Sequence, residues 1–208
     1  MKAIIVLCLI VLFPVGNAFS QEQDSKRIST NDRQPIKVFL AYELGEMAFN
    51  NFRNFSGEAG VLFQNDNLIR FVYQNVKLSE KHLSSNFAKS VTGENIRGLM
   101  KSYEVFYDFN VFGIKSTSKF YLGLSTGYAD DYYEHTTSDE SVKNTTWTIG
   151  LAPSYRETNL FKVNGLYFNL AIPFRYYFSP LEETELGDSI VNRHLITNNL
   201  WFFIGYQF

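Results

Sequence analysis

The side chains most able to perform chemistry are the three histidines of this sequence. Each lies within six positions of a serine: His82 near Ser79, Ser84 and Ser85, His135 near Ser138, and His194 near Ser189 and also Asp188. A serine activated by a histidine base beside a carboxylate would form a nucleophilic hydrolase. All three histidines lie in or beside long polar stretches, and no pair has the strand spacing that a lipid-facing active site would need. We therefore interpret them as loop residues and predict no enzymatic activity.

An acidic stretch at residues 130–140 is the second place where chemistry could occur. Its potential ligands are Asp130, Asp131, Glu134, His135, Asp139 and Glu140. Carboxylate oxygens bind calcium, and they could also bridge to a divalent-coated lipid surface. The spacing of an EF-hand loop is absent, however, and exposed loops are commonly acidic. We predict no metal site and no cofactor.

The elements that must position these residues are eight segments in which apolar side chains alternate with small, polar or charged ones. The segments cover residues 36–46, 56–64, 68–78, 99–112, 119–129, 145–156, 164–178 and 200–208. Because a β-strand directs successive side chains to opposite faces, each segment presents one nearly continuous face of aliphatic and aromatic residues. The period of two therefore predicts eight β-strands.

The connections between these segments alternate in length. Short ones cover 64–67, 113–118 and 157–163, and long polar ones cover 79–98, 130–144 and 179–193. An even number of strands of about ten residues, joined alternately by short turns and long loops, is typical of membrane-spanning barrels. Closing the sheet also satisfies every backbone polar group, as lipid requires. The sequence predicts an all-β fold, an eight-stranded antiparallel up-and-down transmembrane β-barrel.

Seven charged residues fall on the predicted inner face of these strands. They are Glu43, Glu58, Arg70, Glu104, Asp108, Arg156 and Arg175. They could line a polar conduit, or they could form a salt-bridge network that fills the barrel. Eight strands leave an interior just wide enough for side chains, and buried charges are costly unless they are paired. The near balance of sign favours the network, and we predict little conductance.

The last strand combines alternation with an aromatic end. Leu200, Phe202, Ile204, Tyr206 and Phe208 fall on one face, and Trp201 falls on the other. A chain end left bare in water frays, whereas an aromatic residue is favourable at the boundary between membrane and water. We therefore expect the apolar face of this strand to contact lipid.

The amino-terminal region indicates export. Lys2 precedes an apolar stretch from Ala3 to Phe13, and residues 18–20 have a small-x-small cleavage pattern, so we predict a signal peptide over residues 1–20. Cys8, the one cysteine, lies within that peptide. Residues 21–35 are polar without a period and predict a disordered lead-in, and the barrel follows at 36–208. The net charge is only −2 and no basic run occurs, which argues against nucleic acid as a partner.

The chain resembles the small eight-stranded outer-membrane proteins of the OmpA-transmembrane and OmpX type. The signal peptide, the alternating strands and the aromatic terminus at Tyr206 and Phe208 carry this resemblance. It implies a bacterial outer membrane and outer-membrane lipid as a partner. It also implies that the barrel-assembly machinery reads an assembly signal at the terminus: Trp201, Phe202, Ile204, Tyr206 and Phe208.

The expected role is structural or one of surface recognition, in a barrel that is not a wide pore. The ligand or partner of the long loops stays open. One alternative is an outer-membrane lipid-modifying enzyme that uses a loop histidine. The other is a soluble periplasmic lipocalin-like binding protein, which would turn its apolar faces inward around a ligand.

Overall fold

The computed structural model describes residues 36–45, 55–78 and 91–208. The predicted signal peptide and lead-in, residues 1–35, lie outside these ranges, as do His82 and its neighbouring serines. Within the described ranges, no helix is long and apolar enough to cross a membrane.

Almost all of the described chain is β-structure. The strands are β1 (Lys37–Glu43), β2 (Phe55–Leu62), β3 (Leu68–Leu78), β4 (Val91–Thr92), β5 (Ile96–Lys115), β6 (Ser118–His135), β7 (Ser141–Thr158), β8 (Leu166–Ala171), β9 (Phe174–Tyr177), β10 (Thr184–Leu186), β11 (Ser189–Val191), β12 (Ile196–Asn198) and β13 (Trp201–Gln207). A 3₁₀ turn covers Leu160–Lys162.

The strands form a closed, eight-stranded antiparallel barrel, which confirms the predicted fold class. Its walls in order are β1, β2, β3, β5, β6, β7, β8 with β9, and β12 with β13. The last wall returns to the first, where Phe39 lies opposite Gln207 and Glu43 lies opposite Phe203. Closure leaves the wall without a free edge along this pairing, so its backbone groups are satisfied by neighbouring strands.

The seventh wall is interrupted once. β8 ends at Ala171 and β9 begins at Phe174, so Ile172 and Pro173 lie between them. Proline cannot donate a ladder hydrogen bond and is tolerated in sheets mainly at such breaks. The eighth wall is interrupted at the same height, between β12 and β13, and both walls pair on either side of the break.

The two faces of the wall differ in burial as the alternation predicts. Phe39, Val72, Phe106, Trp201 and Phe203 point inward and are almost fully buried, whereas side chains at the intervening positions are exposed. Leu124 is 52% exposed and Ile149 is 49% exposed, both in the middle of the wall. The apolar face therefore lies on the outside of the barrel, which is the reverse of a lipocalin-like cup.

One predicted loop is largely β-structure. Residues 130–144 were expected to form a polar excursion, but β6 continues to His135 and β7 begins at Ser141. Inward residues on this extension, such as Asp131 and Tyr133, are buried, and outward ones are polar. The prediction was wrong because it required an apolar outer face. Backbone pairing and inward packing maintain the hairpin without one.

The other predicted loops also contain ordered elements. Residues 179–193 include β10 and β11, and β11 pairs with β4 from the connection that follows β3. These elements pack around a second apolar cluster, whose buried members are Ile96, Tyr133, Leu181, Leu186 and Val191. We call this layer the cap. It lies at the long-loop end of the barrel, opposite the short-turn end formed by residues 63–67, 116–117 and 159–165.

Candidate functional site: barrel interior and cap

Arg70 is the centre of one ion cluster inside the barrel. Its Nε donates to Asp108 Oδ2 at 2.6 Å, and its Nη1 donates to Glu58 Oε2 at 3.0 Å. These three side chains are fully buried. Tyr167 donates its hydroxyl to Glu58 Oε1 at 3.2 Å, and Asn169 donates to the same carboxylate at 3.3 Å. The paired charges and these neutral donors offset the cost of removing the ions from water.

Arg175 is the centre of a second cluster closer to the cap. Its Nε donates to Glu104 Oε1 at 2.6 Å, and its Nη1 donates to Asn199 Oδ1 at 2.5 Å. The guanidinium lies 4.5 Å from the ring centroid of Trp201. Asn199 stands in the break between β12 and β13, so this arginine also links the seventh wall to the eighth.

Arg156 is held mainly by aromatic rings. Its guanidinium lies 3.6 Å from the ring centroid of Tyr167 and 4.3 Å from that of Phe39. Nη2 donates to Gln207 Oε1 at 3.3 Å, while Nε and Nη1 have no hydrogen-bond partner among the described residues. Sequence reasoning placed Arg156 inside but did not identify the stacking, because ring neighbours come from β1 and β8.

Glu43 ties the first wall to the last. Its Oε1 accepts the backbone N–H of Phe202 at 3.1 Å and that of Gly45 at 2.9 Å. Among the described residues, direct hydrogen bonds and ion pairs do not join all seven predicted interior residues to one another, although Tyr167 both stacks on Arg156 and donates to Glu58. The described contacts divide them into an Arg70 cluster, an Arg175 cluster, a stacked Arg156 and a backbone-binding Glu43.

Two glycines on β6 make room for the buried carboxylates. A Cβ added at Gly123 would overlap the Asp108 carboxylate, and one at Gly127 would overlap Glu104. Both glycines lie directly opposite these acids in the β5–β6 register. The sequence contains a signal for this pairing, because the two acids are four positions apart on one segment and the two glycines are four positions apart on the next. The register that pairs acid with glycine is not evident from either segment alone.

The cap assembles a histidine, a serine and an aspartate. His135 Nε2 lies 2.9 Å from Asp188 Oδ1, and the Ser138 hydroxyl lies 3.0 Å from His135 Nδ1. The imidazole is buried, whereas Ser138 and Asp188 are exposed. The hydrogen bond from His135 lowers the pKa of the Asp188 carboxyl. The structure thus brings His135 to Ser138, as their spacing suggested, but places Asp188 beside His135 rather than beside His194.

The hydrogen bonds around this imidazole favour a structural role for His135 over a catalytic one. We call the contact between His135 and Asp188 the clasp. The Ser138 backbone N–H donates to His135 Nδ1 at 3.2 Å, so Nδ1 is the unprotonated nitrogen and Nε2–H donates to Asp188. A base for a serine nucleophile needs the lone pair that this backbone N–H already uses. The contact fastens the β6–β7 turn to the segment that carries β11.

A second contact holds the same two parts of the cap together. Arg193 donates from Nε and Nη2 to the two oxygens of Asp131 at 2.8 and 2.6 Å, and its guanidinium lies 4.9 Å from the Tyr177 ring centroid. Burial raises the pKa of the Asp131 carboxyl, although Arg193 acts in the opposite direction. Sequence reasoning missed this pair because both residues stood in stretches interpreted as loops.

Three of the five acids in the stretch at 130–140 pair with cations of the chain. Asp131 contacts Arg193, Asp130 Oδ1 lies 3.3 Å from Lys143 Nζ, and Glu134 Oε1 lies 3.7 Å from Arg97 Nη1. In the described ranges, no group of three or more potential ligands is arranged to hold a metal ion.

Aromatic side chains form two rows around the outside of the barrel. The row nearer the cap comprises Tyr42, Phe55, Tyr73, Tyr103, Tyr128 and Trp147, with ring centroids 5.1–6.1 Å apart in the contacting pairs. The row near the short turns comprises Phe112, Phe120, Tyr155 and Phe168, with successive centroids 4.7–5.6 Å apart. We call these the cap-end and turn-end aromatic rows. Between them the outward side chains are predominantly apolar.

The predicted assembly signal is divided between the two faces. Trp201 points inward and is fully buried, and Phe202, Ile204 and Tyr206 lie on the outward positions of β13. Phe208 is 72% exposed at the end of the chain, with its ring centroid 5.1 Å from that of Tyr206.

Comparisons with known proteins identify similar folds but no family. No protein-family model matches the sequence, and no curated protein matches it. Several solved structures are similar, including the following three. The N-terminal β-barrel domain of Pseudomonas aeruginosa OprF has 10% sequence identity and a TM-score of 0.44, and the match covers 83% of this chain and 96% of that chain. Ail, the attachment invasion locus protein of Yersinia pestis, has 13% sequence identity and a TM-score of 0.43, and the match covers 83% of this chain and 96% of that chain. A major outer membrane protein from Thermus thermophilus has 13% sequence identity and a TM-score of 0.45, and the match covers 84% of this chain and 100% of that chain. The function is therefore inferred from the side chains of this chain.

Proposed function

We propose that this protein is a small β-barrel of a bacterial outer membrane, with a structural or surface-recognition role and without a wide pore. The observation that carries the proposal is the outward apolar band between the cap-end and turn-end aromatic rows. On β6 the band runs from Phe120 to Tyr128, which is about 27 Å along a strand and about 20 Å along the axis of a tilted barrel. Such a band matches the hydrocarbon layer, whereas water would favour charge there.

The location of the two ends follows from the same band. The short turns would face the periplasm, and the cap would face the outside, as in barrels of this architecture. The cap then offers the exposed surface on which recognition could occur, chiefly the turn from Thr136 to Glu140. The interior clusters and the cap would keep the barrel closed to bulk solvent.

Two arginine substitutions test the membrane location. Leu124→Arg places a charge in the middle of the band, and Thr145→Arg places one at an exposed outward position beyond the cap-end row. In lipid, Leu124→Arg should lower the free energy of unfolding by about 2–4 kcal/mol, and Thr145→Arg should lower it by about 1 kcal/mol or less. Unfolding by urea in phosphatidylcholine vesicles measures both. Equal, small effects in the two variants would contradict the proposal, because both sites would then face water.

A lipid-modifying enzyme is the second candidate, and it has one observation in its favour. The Ser138 hydroxyl lies within hydrogen-bond distance of one ring nitrogen of His135. The Asp188 carboxylate lies within hydrogen-bond distance of the other. If the cluster is catalytic, Ser138→Ala should change the acylation of envelope lipids, whereas Thr136→Ala, at an exposed position of the same turn, should not. Mass spectrometry of lipids from cells that express each variant measures this. Identical lipid profiles in the two variants would exclude a lipid-modifying activity of this cluster and would favour the structural role of the His135–Asp188 contact.

A further inference from the structure

Three lysines stand on the outward face of the barrel just beyond the cap-end aromatic row. They are Lys77 on β3, Lys101 on β5 and Lys143 on β7, and we call them the basic collar. Lys77 and Lys143 are exposed, and Lys101 is partly exposed. All three belong to strand extensions that continue the wall above the apolar band, so their positions follow from the register of the sheet.

The register places the collar in two successive rows of paired residues. Lys101 lies opposite Asn75 and Asp130, two residues beyond Tyr103. One step higher, Lys77 pairs with Leu99, Leu99 with Tyr132, and Tyr132 with Lys143. Lys143 and Trp147 share the outward face of β7, four residues apart. Steps of two and four residues correspond to about 7 and 13 Å along a strand. The ammonium groups therefore lie in the zone directly outside the hydrocarbon layer.

The collar carries an excess of positive charge by residue type. The described outward positions of β3, β5, β6 and β7 in these two rows hold three lysines and one acid, Asp130, which lies 3.3 Å from Lys143. Arg97 and Glu134, one step higher still, pair with each other. A surface with this sign, just above lipid-facing aliphatic side chains, fits an anion that is attached to acyl chains.

The described outward residues of the seventh and eighth walls are apolar at the level of Trp147. Phe178, whose N–H donates to the Trp147 carbonyl, is exposed and uncharged, as is Ile196, which pairs with Tyr176. Within the described part of the wall, the collar lysines lie on three nearby strands, β3, β5 and β7.

We infer that the basic collar binds the phosphomonoester headgroups of lipids in the outer leaflet, whose acyl chains lie along the apolar band of β5, β6 and β7. The inference rests on the proposed membrane location. Each lysine near an anionic membrane surface contributes about a five-fold preference for the anionic lipid. A dianionic phosphate accepts hydrogen bonds from more than one ammonium group, so a phosphomonoester should be preferred over a phosphodiester with one charge.

Trp147 provides a local reporter. It is 62% exposed on the outward face beneath Lys143, whereas Trp201, the other tryptophan, is fully buried inside the barrel. Lipids brominated in the acyl chains quench a tryptophan that they touch. Quenching of Trp147 therefore measures which lipid occupies the collar side of the barrel, and quenching by brominated phosphatidylcholine alone reports whether this surface contacts lipid at all.

The experiment places the full chain in phosphatidylcholine vesicles that contain brominated phosphatidate, brominated phosphatidylglycerol or brominated phosphatidylcholine. The test variant is Lys77→Gln/Lys101→Gln/Lys143→Gln. The matched control is Lys37→Gln/Lys115→Gln/Lys162→Gln, which removes three lysines at the short-turn end. Wild type and control should bind phosphatidate at least about five-fold more tightly than phosphatidylcholine, and the test variant should lose this preference.

The possible outcomes separate the inference from the proposed function. Equal quenching by brominated phosphatidate and brominated phosphatidylcholine in wild type would overturn the inference that the basic collar binds phosphomonoester headgroups. An unchanged preference for phosphatidate in the test variant would overturn it as well. If brominated phosphatidylcholine fails to quench Trp147 in folded wild type, the membrane location itself fails. Loss of the preference when millimolar inorganic phosphate is added would show that the site takes the free ion rather than the lipid. Heat-modifiable gel migration establishes that each variant is folded.

Discussion

At the scale of single residues, the interior is organised by how each charge is compensated. Arg70 forms direct ion pairs with two carboxylates, whereas Arg156 is stacked on two rings and makes one hydrogen bond. Removing one member of a buried ion cluster leaves its partners charged and unpaired, which is far more costly than removing the whole cluster. The two arginines should therefore differ in their contribution to stability.

Substitution by methionine tests this difference. Arg70→Met should lower the free energy of unfolding by about 3–5 kcal/mol, because Glu58 and Asp108 lose their cation. Arg156→Met removes a similar volume and keeps an apolar side chain between the Phe39 and Tyr167 rings, so its effect should be at least about 2 kcal/mol smaller. Urea unfolding in vesicles measures both variants, and an equal loss would show that Arg156 also compensates a buried carboxylate.

At the scale of elements, the cap is a packed layer rather than a set of free loops. It has its own apolar cluster, a short three-stranded sheet and three polar contacts between the β6–β7 hairpin and the segment that carries β11: His135 with Asp188, Asp131 with Arg193, and Glu140 with the Gly187 backbone N–H. The Asp188 carboxyl has a lowered pKa, because His135 donates to its ionised form. This contact therefore stabilises the cap above the ordinary pKa of an aspartate and is lost as the pH falls through the lowered value.

Removal of the carboxylate tests the clasp. Asp188→Ala should increase amide hydrogen exchange in β11 and in the turn 136–140, since His135 Nε2 then lacks its acceptor. Glu183→Ala removes a neighbouring exposed acid and serves as the control, with exchange expected to match wild type. Hydrogen exchange followed by mass spectrometry at neutral pH measures both. Unchanged exchange in Asp188→Ala would mean that apolar packing and the remaining polar contacts, such as Asp131 with Arg193, hold this part of the cap without the His135–Asp188 hydrogen bond.

At the scale of the whole molecule, the interior contents decide whether the barrel conducts. Large side chains fill it from the turn end, at Phe39 and Tyr121, to the level of Trp201, and the cap covers the far end. Eight strands leave a lumen only wide enough for such side chains. A continuous water path for ions is therefore not expected.

Planar bilayers provide the measurement for this prediction. Purified wild-type protein should give no large, stable single-channel steps in concentrated potassium chloride. The Arg70→Met variant should behave in the same way, because its lumen stays filled even when its ion cluster is broken. Stable steps in wild type would contradict the closed interior and would favour a polar conduit along the seven charged residues.

The sequence by itself determined the walls of the barrel and the face on which each residue lies. The direction of a side chain depends on the local backbone, and a period of two is visible in any strand whose faces differ in polarity. For this reason Glu58, Arg70 and Asp108 could be placed inside, and Leu124 and Ile149 outside. The same reasoning failed at 130–144, where the outward face of the hairpin is polar and the contrast between the faces disappears.

Only the tertiary structure decided which residues meet. Arg70 and Asp108 are 38 positions apart, and Asp188 contacts His135 across 53 positions rather than His194 six positions away. Gly123 faces Asp108, and Lys77, Lys101 and Lys143 form one collar, because the register between strands brings them to the same or neighbouring rows of the sheet. Register and closure arise from the packing of all eight walls together, so no single segment of the sequence contains them.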